Sequence, residues 1–205
     1  MRTSGILLPI SSLPSPGGIG TMGAAAREFV DFLHAAGQHY WQILPVCPTS
    51  YGDSPYQSFS AFAGNPYFID YRLLADVGLL TADEVPAARP VGPIDYGALY
   101  NERPVILKKA ADRLLAAPSP SYEAFCEAQS FWLEDYALFM AVKAEQGQAG
   151  LADWPDALRC REPEVIAAAK VRLADQISYH KAVQFFFYTQ WNALKAYANR
   201  KGVLL

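Results

Sequence analysis

Two short apolar runs on either side of an amphipathic stretch constrain this chain most. Gly5-Ile6-Leu7-Leu8-Pro9-Ile10 and Tyr40-Trp41-Gln42-Ile43-Leu44-Pro45-Val46 each read as a buried strand. Between them Phe29, Phe32, Leu33 and Ala36 fall at i, i+3, i+4 and i+7. That spacing predicts a helix from about Thr21 to Ala36 with one apolar stripe. Gly37 comes next, where a left-handed residue commonly closes a helix. Strand, helix and strand in such a short span form a βαβ unit, which implies a parallel sheet.

Most of the chain beyond Asp70 reads as helix. Asp70 is placed to cap a short helix carrying Leu73, Leu74 and Val77 and ended by Gly78. Residues 81–94 hold Pro86, Pro90 and Pro93 and read as an irregular connection. Asp95 looks like the cap of another helix, which Pro104 is expected to interrupt before an amphipathic run from Val105 to Ala117. Tyr122–Gln146 is expected to be a strong helical region, apolar on more than one face and so largely buried, Phe131 and Trp132 included. Pro163 opens a further helix over about Glu164–Lys201, stopped by Gly202. Trp132 and Trp191 read as core. Val203-Leu204-Leu205 then starts a third apolar strand. The fold class is α/β: the N-terminal portion of a (β/α)8 barrel with a largely helical insertion, the barrel incomplete in this chain. Residues 1–70 form the first βαβ unit with a binding loop, 71–201 the mainly helical insertion and a barrel helix, and 202–205 the start of the next strand.

The chemistry concentrates in Tyr51-Gly52-Asp53-Ser54-Pro55-Tyr56-Gln57-Ser58-Phe59-Ser60-Ala61-Phe62-Ala63-Gly64-Asn65-Pro66-Tyr67. Aromatic rings accept the apolar face of a pyranose, and short polar groups take its hydroxyls, so this loop suits a sugar. Its place after a strand is where a barrel puts its binding residues. Tyr51, Tyr56 and Tyr67 cannot all be buried in so much Gly, Pro, Ser and Asn. Asp53 is the one acid in the run. It serves either as one of a pair of glycosidase carboxylates or, the simpler reading, as the backbone-bonding residue of its Gly-Asp-Ser-Pro turn. Asp70, Asp95, Glu134 and Asp135 fit helix caps and faces better than a carboxylate pair.

Other classes find less support. The net charge is −3 with no basic block, which argues against a nucleic-acid partner. No run of apolar residues is long enough to cross a membrane, and Ile6–Ile10 is short for a signal-peptide core. Cys47, Cys126 and Cys160 are too scattered for a disulfide framework or a zinc motif and read as free thiols of a cytoplasmic protein. His34, His39 and His180 are equally dispersed, so neither metal nor other cofactor is expected. Gly17-Gly18-Ile19-Gly20 lacks the Lys-Ser/Thr of a phosphate loop, and no Gly-x-Ser-x-Gly elbow occurs.

Several segments together resemble glycoside hydrolase family 77, the amylomaltases or 4-α-glucanotransferases. They are Arg2-Thr3-Ser4-Gly5-Ile6-Leu7-Leu8, Ser12-Leu13-Pro14, Tyr40-Trp41-Gln42-Ile43-Leu44-Pro45, the whole of Tyr51–Tyr67, Trp132-Leu133-Glu134-Asp135-Tyr136-Ala137-Leu138-Phe139, and Gln190-Trp191. The resemblance implies a (β/α)8 barrel that moves α-1,4-glucan segments between maltodextrins by a retaining, two-step carboxylate mechanism without a cofactor. It implies that Tyr56 stacks on the sugar beside the scissile bond and that Ser54 makes a polar contact nearby. Asp53 is grouped with them as substrate-binding. Tyr51 and Tyr100 match a pair holding glucan at a secondary site. It places the catalytic acids beyond Leu205, so this stretch alone is expected to be inactive. Pro9 stands where many members have His, Gly17 where an aromatic is common, and Cys47 where a small residue is usual. The competing readings are a non-catalytic glucan-binding fragment and an α-amylase-type hydrolase.

Overall fold

A computed structural model describes residues 2–49, 52–88 and 92–205. Strand β1 (Gly5–Leu7) pairs in parallel with β2 (Tyr40–Gln42), with Gly5 opposite Tyr40, Ile6 opposite Trp41 and Leu7 opposite Gln42. Both strands are shorter than the apolar runs at 5–10 and 40–46 suggest. The cause is proline: Leu8 still donates to the Gln42 carbonyl, but Pro9 and Pro45 have no N–H to continue the ladder. Leu204 forms a parallel bridge to Tyr40, so the 203–205 segment joins the sheet beside β2, on the flank away from β1.

Helix α1 (Ala24–Ala35) connects the two strands, and Gly37 closes it at φ 68°. It buries Ala26, Val30 and Leu33; of the stripe the spacing suggests, Leu33 is buried, Phe29 is half-buried and Ala36 is exposed. Phe32 is exposed. Trp41 of β2 is fully buried and meets the half-buried Phe29 edge-on, with ring centroids 5.0 Å apart. Its indole N–H donates to the Leu8 carbonyl at 2.8 Å, which ties β2 to the end of β1.

Asp70 caps α2 (Tyr71–Asp76), accepting from the Arg72 and Leu73 amides. Asp95 caps α3 (Tyr96–Ala116), accepting from the Ala98 amide at 2.9 Å. Pro104 does not interrupt α3, which runs through it. The neighbouring Arg103 explains how: it is 2% exposed, and its guanidinium binds the Pro66 and Ile69 carbonyls. Charge-assisted bonds of this kind contribute about 1.5–3 kcal/mol each and offset the helix bond that proline forfeits.

The helical region expected over 122–146 is built of two helices, α4 (Pro120–Ala128) and α5 (Ser130–Glu145). Gln129 sits between them at φ −101°, ψ 7°, and its side chain accepts the Trp132 indole N–H at 2.7 Å. After the short α6 (Asp156–Arg159), the 164–201 stretch divides at Leu173 into α7 (Pro163–Arg172) and α8 (Ala174–Arg200). Trp132 is buried and Trp191 only half-buried, while Phe131 is 70% exposed rather than core.

The chain resolves into two compact units, residues 1–113 with 186–205, and residues 114–185. The second has its own core of Ala137, Leu138, Ala141, Val142, Trp154, Leu158, Ala169, Leu173 and Ile177, with Phe139 stacked on Trp154. Glu134 and Asp135 pair with Lys181 and Arg161 on its surface. No helix among the described residues is long and apolar enough to cross a membrane.

His180 belongs to this helical unit, and burial lowers its pKa to about 4. An unfolded histidine titrates near 6.5, so the unfolded chain binds the proton more tightly. The contribution is fully present above about pH 6.5 and is lost as pH falls toward 4. Between pH 7.5 and pH 5 the urea midpoint should therefore fall further for the wild type than for His180→Phe. Equal falls would remove His180 as the source.

Candidate functional site

The cleft lies beyond the carboxyl ends of β1 and β2 and is open to solvent. Pro9, Ile10, Ser11 and Ile19 come from the segment after β1, and Leu44, Pro45, Val46 and Thr49 from the segment after β2. Asp53, Pro55, Asn65, Tyr67 and Phe68 come from the tyrosine-rich loop, and Tyr96 from the first turn of α3. Parallel α/β sheets place ligand sites on this side because every strand there feeds a loop into the same space. The walls are apolar, with hydroxyls, one amide and one carboxylate set into them, the mixture a sugar ring needs.

Glycine permits the floor. A Cβ on Gly20 would lie 1.8 Å from the Ile10 carbonyl oxygen and 2.8 Å from the Leu13 amide nitrogen. Gly20 donates to the Ser11 carbonyl at 3.0 Å, which folds this segment onto the short 3-10 turn Ile10–Ser12. The Gly17–Gly20 run is thus a tight backbone approach that carries Ile10, Ser11 and Ile19 to the cleft.

Asp53 lines the cleft and adopts a left-handed backbone, φ 54°, which Asp tolerates better than most residues. Its Oδ1 accepts from the Thr49 hydroxyl at 3.3 Å. Burial pushes the Tyr67 phenol up to about 12, with the Asp53 charge as a second cause. Burial followed by Asp53 also raises Tyr96. Both phenols therefore stay protonated as hydrogen-bond donors across the physiological range, with their rings tilted 6.1 Å apart. Among the described residues Asp53 is the one acid in the lining. A retaining reaction needs two carboxyl groups about 5 Å apart, so this lining can bind and orient a sugar but does not hold that pair.

The other expected residues fall around the cleft. Ser54 is half-buried, and its Oγ accepts the Tyr56 amide at 3.4 Å. Tyr56 is 75% exposed and presents its ring outside the lining. Tyr100 is 56% exposed on α3, one turn beyond Tyr96 and on the same helix face. Tyr51 lies outside the described residues. Tyr96 is not among the expected residues, and Asn65 is expected only as a member of the tyrosine-rich run. The i, i+4 spacing of Tyr96 and Tyr100 is the signal that could have found the first. For Asn65 it is the Asn-Pro pair, whose side chain accepts the Tyr67 amide at 2.9 Å and caps the 3-10 turn Pro66–Phe68. Pro9 lines the cleft, whereas Cys47 is half-buried with its thiol directed at the Ala61 carbonyl.

The chain is similar to several known proteins. The 4-alpha-glucanotransferase of Thermus thermophilus is 47% identical over 206 residues, covering 98% of this chain and 41% of its own length. That of Streptococcus pneumoniae is 45% identical, covering 97% of this chain and 40% of its own length. A solved structure of amylomaltase from Streptococcus agalactiae in complex with acarbose superposes with a TM-score of 0.94 at 42% identity, over 99% of this chain and 42% of that one. The amylomaltase of Corynebacterium glutamicum, at 17% identity and a TM-score of 0.73, shares the fold. The chain thus spans about two-fifths of the length of these relatives from Thermus and Streptococcus. The profile of the family described as 4-alpha-glucanotransferase, glycoside hydrolase family 77, matches residues 8–205, and the chain belongs to that family.

Proposed function

We propose that this chain is the glucan-gripping N-terminal part of a 4-α-glucanotransferase, which cleaves an α-1,4 bond and passes the glucosyl segment to another maltodextrin rather than to water. The observation that carries the proposal is the cleft beyond the strand ends, walled by Tyr67, Tyr96 and Asp53, with the exposed ring of Tyr56 in the same loop. In this reading residues 1–70 are the first βαβ unit of a (β/α)8 barrel, 71–201 carry the helical insertion, and 202–205 begin the next strand. Tyr56 stacks on the sugar next to the scissile bond. Ser54 and Asp53 take its hydroxyls, and Tyr51 and Tyr100 hold glucan at a secondary site.

The chemistry divides accordingly. A nucleophilic carboxylate and an acid/base carboxyl perform the double displacement, and we assign both to barrel loops outside residues 1–205. The cleft supplies the other half: apolar walls that displace water from the glucosyl ring, and phenolic donors that fix its rotation. Keeping water from the covalent intermediate is what turns a hydrolytic machine into a transferase. The partners are α-1,4-glucans, and no cofactor is needed. The free, scattered thiols favour a reducing compartment, the cytoplasm.

The test is the whole protein incubated with maltotriose. Transfer yields glucose together with maltopentaose and longer chains at a constant number of reducing ends. A rising number of reducing ends with only shorter products would indicate a hydrolase instead. Binding without conversion would indicate a glucan-binding protein.

A further inference from the structure

We propose that Arg103, Tyr188 and Gln190 are positioning residues that hold the return leg of the tyrosine-rich loop and thereby set the shape of the cleft; the inference rests on the transfer reading above. The loop leaves β2 and must come back past Asn65 to Asp70. Its outer part is held by short-range bonds, Gln57 to the Ser54 carbonyl and Ser60 to Ser58. The return leg is gripped from two long helices.

Gln190 of α8 is 5% exposed and forms a two-point clasp. Its Oε1 accepts the Asp70 amide at 2.7 Å, and its Nε2 donates to the Asp70 carbonyl at 2.9 Å. The amide thus satisfies both backbone groups of one residue, as an adjacent strand would. The Asp70 carboxylate is fixed as well, accepting the Thr21 hydroxyl at 2.6 Å while capping α2. Arg103 of α3 binds the Pro66 carbonyl through Nε and the Ile69 carbonyl through Nη2, on either side of Tyr67 and Phe68. Nearer the loop tip, the Tyr188 hydroxyl donates to the Phe62 carbonyl. Phe187 lies so close to Gly64 that a Cβ there would sit 2.0 Å from its ring. These anchors come from two helices far along the chain, and between them stand Asn65, Tyr67 and Phe68, all cleft-lining.

A clasp of this kind acts on substrate through the loop. Its loss lets Tyr67 and Asn65 wander, so binding weakens while the reacting groups are unaltered. That gives a distinctive kinetic signature. A residue needed only for stability lowers the active fraction, reducing kcat with KM unchanged, whereas a positioning residue raises KM with kcat nearly constant.

The experiment uses the whole protein carrying Gln190→Met, which keeps the side-chain length and removes both bonds. KM for maltotriose should rise about tenfold with kcat within about twofold. Amide exchange across 52–70 should quicken at least tenfold while α8 keeps its protection. An unchanged KM with loop exchange as in the wild type overturns the proposal, as does a fall in kcat alone. Should Gln190→Met fail to fold, Tyr188→Phe removes one hydroxyl and leaves the ring packing. It should raise KM about threefold and quicken exchange over 58–64, and no change in either overturns the proposal. If the wild type fails to disproportionate maltotriose, the transfer reading falls by itself. Amide exchange then still decides whether the clasp holds the loop.

Discussion

Tyr56→Ala should lower kcat/KM of the whole protein on maltotriose by about 30-fold while leaving its thermal midpoint nearly unchanged. The ring is 75% exposed, so folding takes little from it, and surface substitutions of this kind fall within about 0.5 kcal/mol. The turn it sits in is maintained by backbone and serine contacts, including the Tyr56 amide to Ser54 Oγ and the Gln57 amide to the Ser54 carbonyl. A pyranose laid on the ring covers apolar area on both partners and adds stacking, together about 2 kcal/mol. At about 1.4 kcal/mol per tenfold, that is the expected loss. Tyr56→Phe keeps the ring and should recover most of the activity. Wild-type turnover by Tyr56→Ala would remove Tyr56 from the site.

The largest structural effect is expected at Gly20. An alanine methyl there meets the Ile10 carbonyl at 1.8 Å and the Leu13 amide nitrogen at 2.8 Å, and both obstacles are backbone. A flexible side chain could swing away, but a carbonyl held in a turn cannot. The Gly20–Ser11 bond and the turn at Ile10–Ser12 must open instead. Overpacking typically costs 1–3 kcal/mol, and a backbone collision belongs at the upper end, about 3 kcal/mol. Because Ile10, Ser11 and Ile19 line the cleft, glucan binding should weaken as well. Gly17→Ala is the control: the nearest atom to its new methyl is 3.6 Å away, an ordinary contact. Denaturant unfolding should separate the two clearly, and equal stability of both variants would contradict the collision.

Features written in the local backbone were legible in the sequence, and those decided by distant partners were not. Asp70 and Asp95 cap helices as their positions suggested, and Gly37, Gly78 and Gly202 adopt the left-handed conformation their places require. The βαβ unit and the joining of the 203–205 segment to the sheet were likewise readable from apolar patterning. Arg103, by contrast, carries α3 through Pro104 by reaching carbonyls 34 to 37 residues earlier in the chain. Helices α4 and α5 part at Gln129, and α7 and α8 at Leu173, with no proline or glycine to mark either break. Residue spacing also put Phe32 and Ala36 on the buried face of α1, where Ala26 and Val30 stand instead. At the site, the loop drew attention through its composition. Tyr96 belongs to a different element, and only the fold brings it to the cleft.

The most direct measurement is a crystal structure of the whole protein soaked with a maltooligosaccharide. A glucosyl ring is expected to stack on Tyr56 at about 4 Å, with neighbouring units running into the cleft between Tyr67, Tyr96 and Asp53. A glucan bound elsewhere, with Tyr56 and the cleft lining untouched, would contradict the assignment of this loop and cleft to substrate.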